Sequence, residues 1–342
     1  LESFFNARKN KFQILILPQR ILGRPLPTIE IVDLKEEKRA GKRPIFLSAR
    51  LKEAIEQRLA RGEQTLLFLN RRGFAPFIQC TDCGFVFQSL NCDLTLTYHR
   101  AENLMRCHYC GEQLGMTDLC PQCHGIKLLP FGLGTQRLEE EVKRVFSGVR
   151  VARLDRDIAR KWPEARKVLA GLRDGSIDIL VGTQLIAKGH DYPGITLVGV
   201  ISADTSLNIP DFRAGERTYQ LLTQVAGRAG RGTLRGEVII QTYNPEHYAI
   251  QSAKNHDYQE FCRQELEFRQ RLNYPPFSRM IAIKIESPNQ QKGEEAAIHL
   301  GELIHQVKSQ HRDKVEILGP SRAIRAKIRN RYRWQILLKA SG

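Results

Sequence analysis

Seven of the eight cysteines fall within one short window, as Cys80-x2-Cys83, Cys92, Cys107-x2-Cys110 and Cys120-x2-Cys123. Two thiolates separated by two residues reach a single tetrahedral ion from one tight turn. Three such pairs and a seventh sulfur therefore predict two zinc sites. The glycines after Cys83 and Cys110 and the proline after Cys120 supply turn chemistry for these knuckles. The other use of clustered cysteines is a disulfide framework in a small secreted domain. No signal-peptide pattern opens this chain, and 342 residues with 42% apolar content need no staples. The metal is expected to be structural, because no HExxH helix accompanies the cysteines. Cys262 stands far away in a charged segment and is expected to be a semi-buried bystander.

The flanks of the cysteine window read as one α/β lobe. Residues 48–61 place Leu51, Ala54, Ile55 and Leu59 at a helical period behind Ser48 as N-cap, and 65–70 is a short apolar run typical of a strand buried on both faces. The alternation resumes after Gly132, with helix 135–146, strand 149–154, helix 163–172 and strand 177–181. Strand 195–201, helix 214–226 and strand 237–242 follow. Strand and helix in this order predict a parallel sheet with helices on both faces. We divide the chain into 1–63 (connector and start of the lobe), 64–79 with 124–243 (the lobe), 80–123 (the inserted zinc-binding module) and 244–342 (a C-terminal α+β domain). The last unit carries a charged helical stretch at 246–272, strands at 280–285, 315–318 and 334–338, and a helix at 294–310.

The net charge of +16 predicts a polyanionic partner. It is densest in the tail, where Arg329, Arg331 and Arg333 interleave with Tyr332 and Trp334. Positive charge beside stacking surfaces is what single-stranded nucleic acid binders use. An acidic peptide would fit Arg331 and Gln335 equally well, and strand alternation could instead turn Tyr332 and Trp334 into the core. No apolar run reaches the length of a membrane span.

Two segments of the lobe carry the sharpest chemical signals. Gly182-Thr183-Gln184 and Gly189-His190-Asp191 follow a predicted strand at its carboxyl end, where open parallel sheets bind ligands. The glycines permit close backbone approach, Thr183 and Gln184 offer hydrogen bonds, and Asp191 can orient an arginine or a water. In Gln224-Val225-Ala226-Gly227-Arg228-Ala229-Gly230-Arg231, two arginines three residues apart are expected on one helix face, with planar, permanently charged forks suited to a phosphate.

These two segments resemble motifs V and VI of superfamily 2 helicases. Together with SADTSLNIPDFRAGERTYQLLTQVAGRAGRG and the interrupting cysteines, they resemble specifically the primosomal replication-restart helicases, along the whole chain. The resemblance implies a RecA-like second helicase lobe and an ATP-dependent 3′-to-5′ DNA helicase, cytoplasmic and nucleoid-associated in a bacterium, monomeric, that recognises stalled forks and begins primosome assembly. Its implied partners are forked and single-stranded DNA, single-stranded-DNA-binding protein and other primosome proteins. It implies catalytic roles at ATP for Arg228, Arg231 and Gln224, and coupling of nucleotide to DNA through Gly182, Thr183, Gln184, Gly189 and Asp191.

No GxxxxGK[ST] or DExx match occurs, and the chain opens Leu1-Glu2-Ser3 rather than with Met, as a piece of a longer protein would. ATP and Mg²⁺ are therefore expected to be held by another lobe, and this chain is expected to be catalytically inactive alone. The resemblance also implies two interleaved four-cysteine sites. Cys80, Cys83, Cys120 and Cys123 complete the first, whereas Cys92, Cys107 and Cys110 lack a fourth ligand because Ser89 occupies its position. His99, His108 or Asp93 could supply it, so one or two zinc ions are expected, the second labile. The reading from a different class is a non-enzymatic zinc-ribbon DNA-binding or scaffold protein, which has no need of Arg228 and Arg231 among glycines.

Overall fold

The computed structural model describes residues 1–16, 25–39, 46–70, 76–100, 102–131, 134–183, 192–230, 235–310 and 315–341. In chain order the strands are β1 (Thr28–Asp33), β2 (Gln64–Phe68), β3 (Phe77–Cys80), β4 (Thr97–His99), β5 (Leu104–Arg106), β6 (Gln113–Gly115), β7 (Leu128–Phe131), β8 (Val151–Leu154), β9 (Ile179–Gly182), β10 (Ile195–Val200), β11 (Glu237–Thr242), β12 (Ser278–Ser287), β13 (Val315–Ile328) and β14 (Arg331–Ser341).

Six of these form a sheet in the order β1-β11-β10-β2-β9-β8, with every neighbouring pair parallel. Alternation along β2 and the residue after it shows why 66–69 is continuously apolar. Leu66 and Phe68 enter one layer with Tyr219, Leu222 and Ile250, while Leu67 and Leu69 enter the opposite layer with Leu51, Ile55, Leu138 and Val142. Burying each such side chain contributes roughly 1.5–3 kcal/mol. Ser48 caps the helix Ala49–Ala60 as expected, accepting from the Leu51 amide at 3.2 Å. β1 forms the edge of this sheet, so the lobe's architecture begins at Thr28, well before residue 64.

The cysteine window grows from an antiparallel ribbon, β3 with β7, and carries a second sheet, β4-β5-β6. Its small core of Ile78, Phe87, Leu94, Leu96 and Met105 is completed from outside the window by Phe212 of the lobe and by Tyr274, whose ring stacks on Phe212 at 4.9 Å. The Tyr274 hydroxyl donates to the Cys92 carbonyl at 3.0 Å.

The expected charged stretch 246–272 is two helices, Tyr248–Lys254 and Tyr258–Arg271. The chain turns between them through His256, with φ of 54°, and Asp257 caps the second by accepting from the Glu260 amide at 2.9 Å. The C-terminal sheet is β12-β14-β13, antiparallel, under the helix Gln290–Gln310. Trp334 is core: it is 3% exposed and packs so closely on Gly293 that a Cβ there would lie 2.2 Å from Cζ3. β13 and β14 extend well beyond the expected 315–318 and 334–338. Their outer arms form a hairpin turning at Arg329 and Asn330, with φ of 49° and 60°, and carry exposed polar residues, which leaves no burial pattern to read. Near the amino end, Phe12, Ile14, Leu15 and Ile16 face solvent, Leu15 being 81% exposed.

Candidate metal centres

Four segments of the cysteine module share one backbone pattern. The amides of Cys80, Ser89, Cys107 and Cys120 each donate to the carbonyl five residues on, in Phe85, Leu94, Glu112 and Gly125, at 2.8–2.9 Å. The amides four residues on, of Gly84, Asp93, Gly111 and His124, donate back to the first residue's carbonyl at 2.9–3.0 Å. Those four residues share positive φ, of 80°, 53°, 84° and 58°. Glycine tolerates that conformation freely, and Asp and His adopt it at modest cost. In the third cysteine pair the expected turn residue is the proline after Cys120, but the left-handed position belongs to His124. Each turn aims its first and fourth side chains the same way, which is the geometric reason for the x2 spacing.

Two of these turns face each other at the first centre. Cys80 and Cys123 sulfurs lie 3.6 Å apart, Cys83 and Cys120 sulfurs 3.7 Å, and all four fall within 4.8 Å of one another. A tetrahedral zinc with bonds of about 2.3 Å sets its sulfurs roughly 3.7–3.8 Å apart, so the set fits. Burial pushes the Cys83 thiol up to about 12, so in the metal-free protein it keeps its proton, and metal binding must release it.

The second centre gathers Cys92, Cys107 and Cys110. None of the three fourth ligands considered from sequence joins them. His108 is buried and its Nδ1 engages the Arg322 carbonyl in the C-terminal domain. Burial pulls its imidazole down to about 4. His99 sits edge-on to His108 at 5.2 Å. Asp93 pairs with Arg271 at 3.5 Å. The group beside the sulfurs is Ser89, whose Oγ lies 3.5 Å from Cys110 Sγ.

The module is clamped to the lobe at Gly84, where an added Cβ would lie 2.6 Å from Tyr243 Cβ. Gly84→Ala combines that collision with a left-handed backbone. It is expected to destabilise the chain by about 2–4 kcal/mol and to speed loss of metal from the first centre, read by thermal melting and chelator release.

The lobe holds its candidate residues at two opposite edges of the sheet. Gly182 ends β9, its carbonyl accepting from Leu69 at 2.9 Å, and the Thr183 amide donates to Leu154 at 3.4 Å. Gln184, Gly189 and Asp191 lie outside the described residues, as does Arg231. Gln224 is exposed near the end of the helix Ala214–Ala226. That helix stops before Arg228, which therefore sits in the following turn and not on a helix face, because Gly227 and Gly230 end the helix. The Gly230 amide donates to Ile195 at the start of β10, at 3.1 Å. Register pairs Gly182 with Phe68 and Phe68 with Val200, so the two groups stand about 15 Å apart along the strands, at 3.3 Å per residue.

Sequence reasoning missed a buried ionic network. Arg269 is wholly buried and donates to Glu265 (2.8 Å), Glu216 (2.6 Å) and the Pro275 carbonyl (3.1 Å), with its guanidinium 5.1 Å from the Phe212 ring centre. Burial pushes the Glu265 carboxyl upward, and Arg269 opposes that shift. Glu216 opens the helix that leads to Gln224 and Arg228, so the network fastens that helix to the C-terminal region. The only hint in sequence was an arginine four residues after a glutamate.

Of the tail residues, Arg329 and Arg331 are exposed near the hairpin turn, and Arg333 pairs with Glu286 at 2.8 Å. Gln335 is not free for a partner: its Nε2 donates to the His108 carbonyl at 2.6 Å, joining the C-terminal sheet to the cysteine module. Cys262 is fully buried in the lobe core. Among the described residues no helix is long and apolar enough to cross a membrane.

Comparison with known proteins matches residues 118–233 to the helicase conserved C-terminal domain, 91–114 to the PriA DNA helicase Cys-rich region, and 270–342 to the primosomal protein N C-terminal domain. The chain is 44% identical over 339 residues to the replication restart protein PriA of Bacillus subtilis, covering 99% of this chain and 42% of that protein. It is 43% identical to the Synechocystis protein of the same name (95% of this chain, 39% of that one) and 39% identical to that of Treponema pallidum (99% and 50%). The chain thus spans half or less of the length of these relatives.

Proposed function

Because the chain belongs to the PriA family of replication restart proteins, we propose that it serves as the second motor lobe, zinc ribbon and C-terminal domain of an ATP-dependent 3′-to-5′ DNA helicase that acts at stalled forks and begins primosome assembly. ATP and Mg²⁺ would be held by a lobe outside this sequence. Arg228 and Arg231 would neutralise charge at the phosphates, with Gln224 beside them. The segment from Gly182 through Thr183, Gln184 and Gly189 to Asp191 would link that edge to DNA. It starts at the carboxyl edge of β9, and Tyr192, just beyond it in the chain, lies close enough to Arg173 and Arg228 for their guanidinium groups to oppose the rise that burial gives its phenol. The protein would work in the cytoplasm on nucleoid DNA, with single-stranded-DNA-binding protein and primosome proteins as partners.

The observation that supports this reading is the all-parallel six-stranded sheet, with Gly182 ending β9 and Arg228 just after the helix Ala214–Ala226 that packs on the sheet, and with a cysteine ribbon rooted between β2 and β8 in the chain. We assign DNA contact to the β13–β14 hairpin, where Arg325, Lys327, Arg329 and Arg331 are all exposed. Each phosphate contact removed lowers the slope of log K against log salt by about 0.7–0.9. For forked DNA binding to this chain, R329E with R331E is expected to flatten that slope by roughly 1.5. An unchanged slope would remove the hairpin from the DNA surface.

A further inference from the structure

The second metal centre is incomplete in sulfur but not in geometry. Ser89 opens a turn with the same two backbone hydrogen bonds and the same left-handed fifth residue as the turns opened by Cys80, Cys107 and Cys120. The side chain at that place is a ligand candidate in the other three turns. In Ser89 it is a hydroxyl, 2% exposed and directed at the cluster, with Oγ 3.5 Å from Cys110 Sγ and accepting from the Cys92 amide at 3.3 Å.

The hydroxyl also has a carboxylate waiting for its proton. Ser89 Oγ donates to Glu112 Oε2 at 2.6 Å, and Glu112 is anchored in turn by the Leu90 amide and the Asn91 side-chain amide, both at 3.5 Å. A neutral hydroxyl is a weak zinc ligand. A strong hydrogen bond to an anion makes its oxygen a better donor, as carboxylates do for metal-bound histidines. Charge supports the same assignment. Four thiolates around Zn²⁺ leave two negative charges, three leave one, and the Glu112 carboxylate restores the second just outside the bonding sphere.

We infer that this chain binds its second zinc with a Cys92, Cys107, Cys110 and Ser89 Oγ donor set, Glu112 serving as the positioning residue that holds the serine proton. The inference rests on the zinc-ribbon reading of the module, and the four-cysteine centre provides an internal control for that reading.

The test uses the full 342-residue chain, wild type and as S89A, S89C and E112Q, loaded with Zn²⁺ for chelator-release kinetics and with Co²⁺ for absorption. Wild type should hold two metals with thiolate-to-cobalt intensity for seven sulfurs, and release them in a slow and a fast phase. S89C should raise the intensity to eight sulfurs and abolish the fast phase. S89A and E112Q should accelerate only the fast phase, E112Q by about 10-fold or more, the usual cost of losing a group that orients a ligand. The slow phase reports that the four-cysteine centre and the fold remain intact in every variant. Fast-phase release that is unchanged in both S89A and E112Q would overturn the inference and point to water as the fourth ligand. A single metal in wild type, rising to two in S89C, would overturn it by showing that serine does not complete the site. Absence of the slow phase in wild type would instead refute the zinc reading itself.

Discussion

Arg269→Met is expected to lower the melting temperature of this chain by roughly 10 °C, corresponding to about 3–5 kcal/mol. Arg269 has no contact with solvent and balances Glu216 and Glu265, both buried. Methionine fills part of the volume but leaves Glu265 with the Tyr248 hydroxyl and Glu216 with the Leu1 amino group as partners in a low-dielectric pocket, which drives the carboxylates to take up protons or draw in water. The loss should shrink when Glu216→Gln and Glu265→Gln are added, because a neutral network tolerates the missing guanidinium. Arg263→Ala on the exposed face of the same helix, whose partners Glu260 and Glu267 are half-exposed and exposed, should leave the melting temperature essentially unchanged. If Arg269→Met were as mild as Arg263→Ala, the buried network would have no structural role.

Arg228→Ala, made in a polypeptide that joins this chain to a nucleotide-binding lobe, is expected to cut ATP turnover by about 10³-fold. The expectation rests on the proposed role of Arg228 at the phosphates. Arg228→Lys should recover little, because a lysine ammonium is a point charge without the planar two-pronged donor geometry. Fork binding should stay within a factor of a few, since the exposed arginines of the β13–β14 hairpin belong to another sheet. Turnover within 10-fold of wild type would remove Arg228 from the nucleotide surface.

What could be read from the sequence follows a physical division. The strand at 65–70 was legible because a central parallel strand is buried on both faces, and the cysteine pairs because metal geometry fixes their spacing. Family resemblance then marked Ser89 as the position where the second site lacks its fourth sulfur. Glu112 remained unread because its partner is brought near only by folding of the β5–β6 hairpin. Arg269 was hidden for a related reason: in the string from Tyr258 to Arg271, a buried ion pair and a solvated one carry the same letters. Trp334 and Gln335, adjacent in sequence, point to opposite faces of β14, one into the core beside Gly293 and the other onto the His108 carbonyl. Composition marked both as part of one basic tail, and only strand alternation separates them.

The position of β2 has a consequence for how the chain comes to be made. β2 is an interior strand, but its two neighbours, β9 and β10, are encoded more than a hundred residues later, beyond the whole cysteine ribbon. A ribosome therefore delivers all seven clustered cysteines while the edges of β2 are still bare. Loop closure over that span is slow compared with forming the local knuckle turns. The knuckle turns can thus form before the sheet closes, so zinc scarcity would strike the nascent chain while an interior strand of its sheet stands unpaired.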